Sequence, residues 1–272
     1  MLKISVAIPD SSLMEEPSPL DKSLKISQIA RACSIFRVDT IYLYHEADGR
    51  DRDRALLRTV LRFLETPQYL RRTMYRKTDD LRYAGSLSPL KIPSHVQTAD
   101  PKKVRQGDIR DGVVLFARGQ KCLDLGFEQL VPYHGPEEEG RRVIVQFKEG
   151  FPKLSVKAVR RDEIKQYWGY EVKESSSLAN LLSNWKSKVI ITSRKGKLAH
   201  RGQKYFQELS DSDVLVVFGS PKRGVHEILG RDLSMVQQSQ VLNFFPEQAT
   251  ETVRLEEAIL GTLAIINILS RN

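Results

Sequence analysis

The chain has 272 residues, of which 40% are hydrophobic, and it carries 43 Lys and Arg residues against 34 Asp and Glu residues. This length and composition predict a globular protein with one large or two modest domains, and they argue against an unfolded chain without a core. The net charge of +9 favours a polyanionic partner, with nucleic acid ahead of an acidic membrane surface.

Cysteine usage points to a reducing compartment. Cys33 and Cys122 are the only cysteines, they lie far apart, and neither belongs to a CxxC pattern. Disulfides and structural zinc are therefore disfavoured, and since the histidines show no ligand spacing we expect no metal. The first apolar run ends at Pro9 and Asp10, too early for a signal peptide, and no run approaches about 18 apolar residues. We expect a cytoplasmic protein without a membrane partner.

The first elements predict a parallel sheet. Ile4, Val6 and Ile8 alternate with small residues, which is the period of a strand. Apolar residues recur at helical spacing between positions 26 and 36, and the strand TIYLY follows at 40–44. A strand, a helix and a second strand in this order indicate an α/β fold.

The next segment carries an arginine at every fourth position along one face of a predicted helix, while apolar residues line another face. Such a stripe can follow a phosphate backbone, because each cation near the backbone releases counterions. The alternative is a solvated face whose arginines pair with Asp51 and Asp53. The stripe predicted to contact RNA consists of Arg50, Arg54, Arg58 and Arg62.

From about residue 88 the helical periodicity gives way to short strand-like runs at 112–117, 141–147 and 153–159, separated by turn residues. Runs of this length predict a small inserted β-barrel, and the oligonucleotide-binding (OB) type fits because one of its faces binds nucleic acid. The alternative is a β-domain that only braces the fold. Trp168 and Trp185 follow the insert and are expected to be core or junction aromatics.

Three apolar runs between residues 189 and 267 each stop at small or polar residues. They lead into TSRKG at 192–196, GSPKRG at 219–224 and PEQATET at 246–252. Open parallel sheets bind ligands at the carboxyl ends of their strands, so we expect these three loops to form one site. Because GSPKRG is neither a Walker loop nor a GxGxxG fingerprint, a nucleotide hydrolase or an NAD enzyme is disfavoured.

The last predicted helix follows the third loop. Thr250 or Thr252 can cap it, and Glu256 and Glu257 suit its first turns because they oppose the positive end of the helix dipole. Its sequence at 261–269, GTLAIINIL, is apolar almost all round, as in a buried or interface helix. A homodimer agrees with this pattern.

The succession TSRKG, FGSPKRG and NFFPEQATETVRLEEAILGTLAIIN, with the opening KISVAIPDS and the later YWGYEV, resembles the archaeal and eukaryotic SPOUT RNA methyltransferases that carry an inserted OB-like domain. The resemblance covers essentially the whole chain. It implies an α/β fold with a trefoil knot, S-adenosylmethionine as cofactor and a dimer formed through the knot. Residues 1–87 and 168–272 would form the knot domain, and 88–167 the barrel. Periodicity alone would predict an unknotted sheet.

Methyl transfer to a weakly acidic atom needs a group that removes a proton and a group that stabilises charge, and residues near the three loops are candidates. Glu251 is a candidate base, and Arg194 or Arg254 would stabilise a developing anion or anchor a phosphate. The alternative is that Glu251 only faces the helix dipole and that the arginines form only ion pairs. Lys195, Lys222 and Arg223 are expected to contact RNA. The implied cofactor contacts are Thr192, Ser193, Gly219, Ser220, Gly224, Phe244, Phe245, Pro246, Thr250, Thr252 and Val253.

The predicted function is S-adenosylmethionine-dependent methylation of RNA, at a base of a structured RNA such as rRNA or tRNA, with uridine N3 as one acceptor atom. The alternative is a non-catalytic RNA-binding or assembly factor that uses the barrel and the basic surface. Cofactor binding distinguishes the two, whereas RNA affinity does not, because the net charge alone predicts it.

Overall fold

The computed structural model describes residues 2–230 and 238–270. The chain divides into two compact units, the first comprising Met1–Arg62, Asp80–Ser88 and Tyr170–Asn272 and the second Phe63–Asp79 and Pro89–Gly169. The second unit contains most of the predicted insert at 88–167. It also includes Phe63–Asp79, which the sequence placed with the first domain.

The helices and strands of the described residues follow one another in this order: β1 Lys3–Pro9, α1 Pro19–Ile35, β2 Thr40–Tyr44, α2 Asp51–Glu65, α3 Gln68–Met74, β3 Ile109–Ala117, β4 Gln120–Asp124, β5 Val131–Pro132, β6 Arg142–Phe147, β7 Val156–Ala158, β8 Glu171–Ser175, α4 Leu178–Asn184, β9 Lys188–Leu198, α5 Gln203–Gln207, β10 Asp213–Val217, α6 Val225–Leu229, β11 Ser239–Asn243 and α7 Leu255–Leu269.

The first unit is built on a six-stranded sheet in the order β11, β9, β10, β1, β2, β8, and every neighbouring pair is parallel. The central strands β1 and β10 are buried on both faces, which explains their nearly continuous apolar sequences. Helix α1 packs against α7. The predicted α/β fold with a parallel sheet is thus confirmed. Among the described residues, no helix has the length and apolar character needed to cross a bilayer.

Strand β9 does not end where the sequence predicted. It was expected to stop at Ile191, but it continues to Leu198. In the ladder with β11, Val241 pairs with Ile191 and the next residue, Leu242, pairs with Lys197. Residues 192–196 therefore bulge out of the ladder, since five residues of β9 have no counterpart in β11. The bulge keeps TSRKG at the sheet edge without ending the strand.

The arginine stripe lies against the edge strand β8. Arg54 and Arg58 donate to the two carboxylate oxygens of Glu174 at 3.0 and 2.9 Å, and Arg62 donates to the carbonyl of Val172 at 3.0 Å. Arg50 precedes the first residue of α2 and is exposed. The predicted alternative named the wrong ion-pair partners, because Glu174 comes from a strand far along the chain.

The second unit contains a five-stranded antiparallel sheet in the order β5, β4, β3, β6, β7. Its core is formed by one face of these strands, with Val114, Leu123 and Val145 fully buried. The guanidinium of Arg110 lies between the rings of Tyr69 and Phe127, at 4.3 and 4.5 Å from their centroids. Five short antiparallel strands agree with the number in the predicted barrel.

A buried charge network joins the sheet of the second unit to its Phe63–Asp79 segment. Arg142 donates to both carboxylate oxygens of Glu65, at 2.6 and 3.2 Å, and to Asp111 at 2.9 Å. Trp168 donates its indole N–H to the other oxygen of Asp111 at 3.0 Å, which makes it a core residue as expected. Burial raises the pKa of Glu65 to about 7, and the charge of Arg142 opposes that shift.

Candidate functional site

A cavity of about 380 Å³ lies at the carboxyl ends of β9, β10 and β11 in the first unit. All three loops singled out in the sequence border it, and helices α1 and α7 supply further wall. Its volume falls within the range of about 300–1,000 Å³ that is usual for small-molecule sites. The cavity is therefore large enough for a cofactor-sized ligand.

Most residues assigned to the site by the sequence lie on this cavity. Pro246 and Thr250 do not line it, and neither do Arg50, Arg54, Arg58 and Arg62 of the stripe. The assigned residues that line the cavity are Thr192, Ser193, Arg194, Lys195, Gly219, Ser220, Lys222, Arg223, Gly224, Phe244, Phe245, Glu251, Thr252, Val253 and Arg254.

The bulge at 192–196 is held from both sides. The hydroxyl of Thr192 donates to the carbonyl of Val217 in β10 at 2.9 Å, and the side-chain amide of Asn243 in β11 donates to the carbonyl of Arg194 at 3.0 Å. A Cβ atom on Gly196 would lie 2.6 Å from the backbone of Leu242, so a side chain there would force the strands apart. The bulge is consequently fixed before any ligand binds.

The second loop, 219–224, folds on itself. The amide of Ser220 donates to the carbonyl of Arg223 at 2.9 Å, and the amide of Arg223 donates to the hydroxyl of Ser220 at 3.0 Å. A Cβ atom on Gly219 would lie 2.9 Å from the same carbonyl, so this close turn requires glycine. Tyr44 donates to the carbonyl of Phe218 at 2.6 Å, and burial raises the pKa of its phenol, which keeps it a neutral donor.

A carboxylate that the sequence analysis missed anchors the second loop. Glu46 follows β2, is 4% exposed and accepts from Nε of Arg223 at 2.8 Å, and Nη2 of Arg223 forms an ion pair with the same carboxylate oxygen at 2.5 Å. The hydroxyls of Ser11 and Ser220 also donate to it, the latter at 3.3 Å, and its own amide donates to Asp10 at 3.0 Å. Its position directly after a parallel strand could have indicated a role at the site, because ligands in parallel sheets bind at the carboxyl ends of the strands.

The third loop is tied to the first. Arg194 donates to the main-chain carbonyl of Glu251 at 2.9 Å, which brings two of the proposed catalytic residues together at the cavity. Phe245 packs on α7 at Gly261, where a Cβ atom would lie 2.5 Å from its ring. The side chains of Arg194 and Glu251 remain exposed and can reach a bound molecule.

The predicted cap of the last helix was wrong. Helix α7 begins at Leu255 with Arg254 as the residue before it, so neither Thr250 nor Thr252 caps it. Instead, Glu257 accepts from the amide of Arg254 at 3.0 Å. A carboxylate three residues into the helix satisfies a backbone donor that would otherwise lack a partner.

The wall formed by α1 and α7 carries buried polar groups that the sequence analysis did not select. Lys25 lines the cavity, and its ammonium lies 2.9 Å from Glu16 and 3.6 Å from Glu256. Thr262 also lines the cavity and is fully buried, and no described residue hydrogen-bonds to its hydroxyl. In the sequence, Lys25 is a single lysine beside the apolar Ile26 in a predicted helix. This context is common and gives only a weak indication that the lysine is buried at a site.

No cluster of three or more His, Cys, Asp or Glu side chains suited to a metal ion occurs within residues 2–230 and 238–270. The cavity instead combines backbone amides and carbonyls with cationic and hydroxyl side chains. Such a lining can hold an organic molecule and place a charged acceptor or base beside it.

Comparison with known proteins gives an independent assignment. Residues 3–266 match the family model described as "Putative RNA methyltransferase". An uncharacterized protein of Halobacterium salinarum is 30% identical over 97% of this chain and 98% of its own length. The 28S rRNA (uridine-N(3))-methyltransferase of Homo sapiens is 30% identical over 97% of this chain and 77% of its own length, and the Mus musculus enzyme of the same name is 29% identical.

The family match spans nearly all of the chain, including the three loops that border the cavity. It agrees with the resemblance to SPOUT enzymes that the sequence motifs indicated. The chain therefore belongs to this family of RNA methyltransferases, enzymes that take their methyl group from S-adenosylmethionine.

Proposed function

We propose that the protein methylates N3 of a uridine in ribosomal RNA. The observation that carries this proposal is the single cavity bordered by all three loops, with Arg194, Glu251 and Arg254 on its wall. The activity for which the human and mouse relatives are named supports uridine N3 as the acceptor and favours rRNA over tRNA. The non-catalytic alternative is disfavoured because the family is one of methyltransferases.

The residues present fit S-adenosylmethionine. The cavity offers the turn at Gly219 and Ser220 and the main chain around Phe244 and Phe245, so contacts to the amino-acid, ribose and adenine parts would be made largely by backbone groups. A Cβ atom on Gly219 would lie 2.9 Å from the carbonyl of Arg223, so this turn needs glycine and leaves its backbone open to a ligand. In this proposal Thr192, Ser193, Gly224, Thr252 and Val253 complete the pocket.

The acceptor nitrogen of uridine carries a proton that must leave before its lone pair can attack. We assign proton removal to Glu251, whose exposed carboxylate lies at the cavity and can take the proton as the N–H bond breaks. Arg194 and Arg254 would stabilise the charge that develops on the base or hold a neighbouring phosphate. Bound S-adenosylmethionine supplies a methyl group on a cationic sulfur, which retains the bonding pair when nitrogen takes the methyl.

RNA would approach the mouth of the cavity. Lys195 and Lys222 are exposed there and carry no carboxylate partner among the described residues, so they are the strongest proposed phosphate contacts. Arg223 is held by Glu46, and Arg54 and Arg58 share Glu174, so their charge is partly neutralised. Arg50 and Arg62 complete the proposed stripe.

The proposal is tested by cofactor binding followed by methyl transfer. In calorimetry the purified protein should bind S-adenosylmethionine, and it should then methylate rRNA from cells that lack this protein. Nucleoside mass spectrometry against an N3-methyluridine standard identifies the modified atom, and rRNA from cells that contain the protein serves as a pre-methylated control. Methylation of another atom would contradict the uridine assignment, and absence of cofactor binding would contradict the whole proposal.

We also propose that two chains associate through α7. Leu260 and Ile268 on this helix are 47% and 63% exposed, which is unusual for large apolar side chains on a helix of such apolar sequence. Replacing Leu260 by Glu should convert a dimer to a monomer, because association would bury a carboxylate. Sedimentation equilibrium measures this change, and Glu128→Gln, on a loop of the second unit, is the control. A wild-type mass of one chain would refute the proposed association.

We also propose a trefoil knot in the first unit, an OB-like barrel in the second unit and a cytoplasmic location. The trefoil knot is supported by the SPOUT resemblance of the loop motifs and by the crossover that takes β11 past β10 to pair with β9. The OB-like barrel is supported by five antiparallel strands, and the cytoplasmic location by two buried free cysteines. An experimental structure with a traced backbone tests the knot and the barrel, and microscopy of a tagged chain tests the location.

A further inference from the structure

Lys25 is a charged side chain in an unusual place. It is 4% exposed, yet it lines the cavity that the three loops border. Lysine is among the residues least often buried, and when it is buried its ammonium is paired or serves a function. Here Glu16 accepts from the ammonium at 2.9 Å and the carboxylate of Glu256 lies 3.6 Å away.

Its ammonium has a donor left for a ligand. An ammonium group has three N–H donors, and the only hydrogen bond it makes to described residues is the one to Glu16. The hydroxyl of Thr262 lies on the same cavity and also lacks a partner among the described residues. Beside this ammonium, one carboxylate oxygen of Glu256 is likewise buried without a hydrogen-bond partner among the described residues. This indicates that a polar group of a ligand enters here, because buried polar groups are normally satisfied.

The charge of this wall distinguishes between possible ligands. Lys25 is accompanied by two carboxylates, so the group of three carries one net negative charge. A phosphate or the carboxylate of a cofactor would be repelled by Glu16 and Glu256. A neutral carbonyl oxygen can enter without that cost. Only part of a negative charge then develops on this oxygen, because the charge is shared across the base as the neighbouring nitrogen loses its proton, so the contact with the ammonium outweighs the repulsion from the two carboxylates.

We propose that Lys25 is a catalytic residue that donates a hydrogen bond to a carbonyl oxygen beside the acceptor nitrogen of the target base. The inference rests on the proposed function and deepens it by naming the group that stabilises charge on the base, whose acceptor nitrogen, N3 of uridine, is flanked by carbonyl groups. As the N–H bond breaks and the proton moves to Glu251, negative charge spreads to that oxygen and the ammonium stabilises it. Thr262 positions the same part of the base.

The inference is tested with Lys25→Met in an otherwise intact enzyme. We expect kcat for RNA methylation to fall by at least about tenfold, since removal of one donor to a developing oxyanion has a large kinetic effect. The affinity for S-adenosylmethionine should stay within about twofold, and the rate should continue to rise at alkaline pH where wild type has levelled off. A purely structural role would not move the pH profile, because the acceptor would still ionise as before.

Matched variants keep the result interpretable. Lys22→Met removes a lysine one turn earlier on α1 that does not line the cavity and whose ammonium lies 2.5 Å from Asp53. This variant should retain normal kinetics. If Lys25→Met alone fails to fold, the double variant with Glu16→Gln removes both charges of the ion pair. It then tests the same fall in kcat. Thr262→Val should slow transfer, whereas Thr262→Ser should preserve it.

The outcomes separate this inference from the proposed function. If wild type binds cofactor and methylates RNA while the folded Lys25 variants keep the wild-type kcat and pH profile, the role of Lys25 is refuted and the methyltransferase proposal stands. A selective loss of S-adenosylmethionine affinity in the Lys25 variants would also refute it, by assigning the wall to the cofactor. If wild type binds no cofactor, the proposed function itself has failed.

Discussion

Replacing Arg194 and Arg254 together by alanine is expected to lower kcat for RNA methylation by about a hundredfold, because each guanidinium would stabilise charge that develops only during transfer. Both side chains are exposed at the cavity, and Arg194 is tied to the third loop by its hydrogen bond to the carbonyl of Glu251. The dissociation constant for S-adenosylmethionine should change by less than about twofold, because the proposed cofactor contacts come mainly from the backbone. Single-turnover kinetics and calorimetry measure the two quantities separately.

Arg201→Ala is the control for this pair, since Arg201 is exposed in the same unit and does not line the cavity. If the double variant transfers methyl groups at the wild-type rate, both arginines are excluded from the mechanism. If only the RNA concentration dependence changes, the arginines anchor phosphate and do not stabilise the reacting base. The salt dependence of binding would then fall by about one counterion for each lost contact.

Replacing Arg142 by methionine is expected to lower the free energy of unfolding of the second unit by about 3–5 kcal/mol, because removal of one partner leaves buried charges uncompensated. Glu65 and Asp111 are 7% and 0% exposed, and both depend on the same guanidinium. The control Arg160→Met removes an arginine that pairs with exposed Asp162, and such a surface pair contributes at most about 1 kcal/mol.

The loss should depend on pH with a definite sign. Burial raises the pKa of Glu65 from 4.5 to about 7, so its buried state is favoured at low pH and disfavoured as pH rises through that interval. Because the charge of Arg142 holds the pKa of Glu65 down, that pKa should lie above 7 in the variant, so the loss of stability should grow as pH rises above about 7 and should change little between pH 5 and 7. Urea unfolding of a Trp185→Phe background reports on Trp168, the only other tryptophan. A pH-independent loss would contradict this electrostatic explanation.

The parallel sheet and the meeting of the three loops followed from local patterns. Apolar runs such as Val214–Val217 are long enough for a buried strand, and parallel strands present their carboxyl ends at one edge. The bulge after Ile191 was not predictable, because it depends on the register of β11, which the sequence of β9 does not contain. The cap of α7 failed because the helix begins only after Arg254, and its N-terminal amide donates to Glu257, a partner three residues into the helix, instead of to a threonine hydroxyl.

The residues missed at the site share a physical cause. Glu46 and Lys25 come from segments far from the three loops, and each owes its role to partners brought near by folding. A single charged residue beside an apolar strand or helix is usually solvated, so its sequence context cannot reveal burial. The arginine stripe is the opposite case, because a regular pattern that predicted an RNA contact includes two arginines that form ion pairs with one carboxylate, Glu174.

The second unit is formed by two separate segments of the chain, which limits how it could be deleted by truncation or gained by insertion. Excising Pro89–Gly169 alone would leave Phe63–Asp79 without its sheet, because Tyr69 donates to the carbonyl of Asp111 and Thr73 donates to Asp124. The carboxylate of Glu65 would also lose its guanidinium. A clean excision thus requires two separate deletions, and a single insertion event would have produced this unit only if the earlier segment was remodelled to receive it.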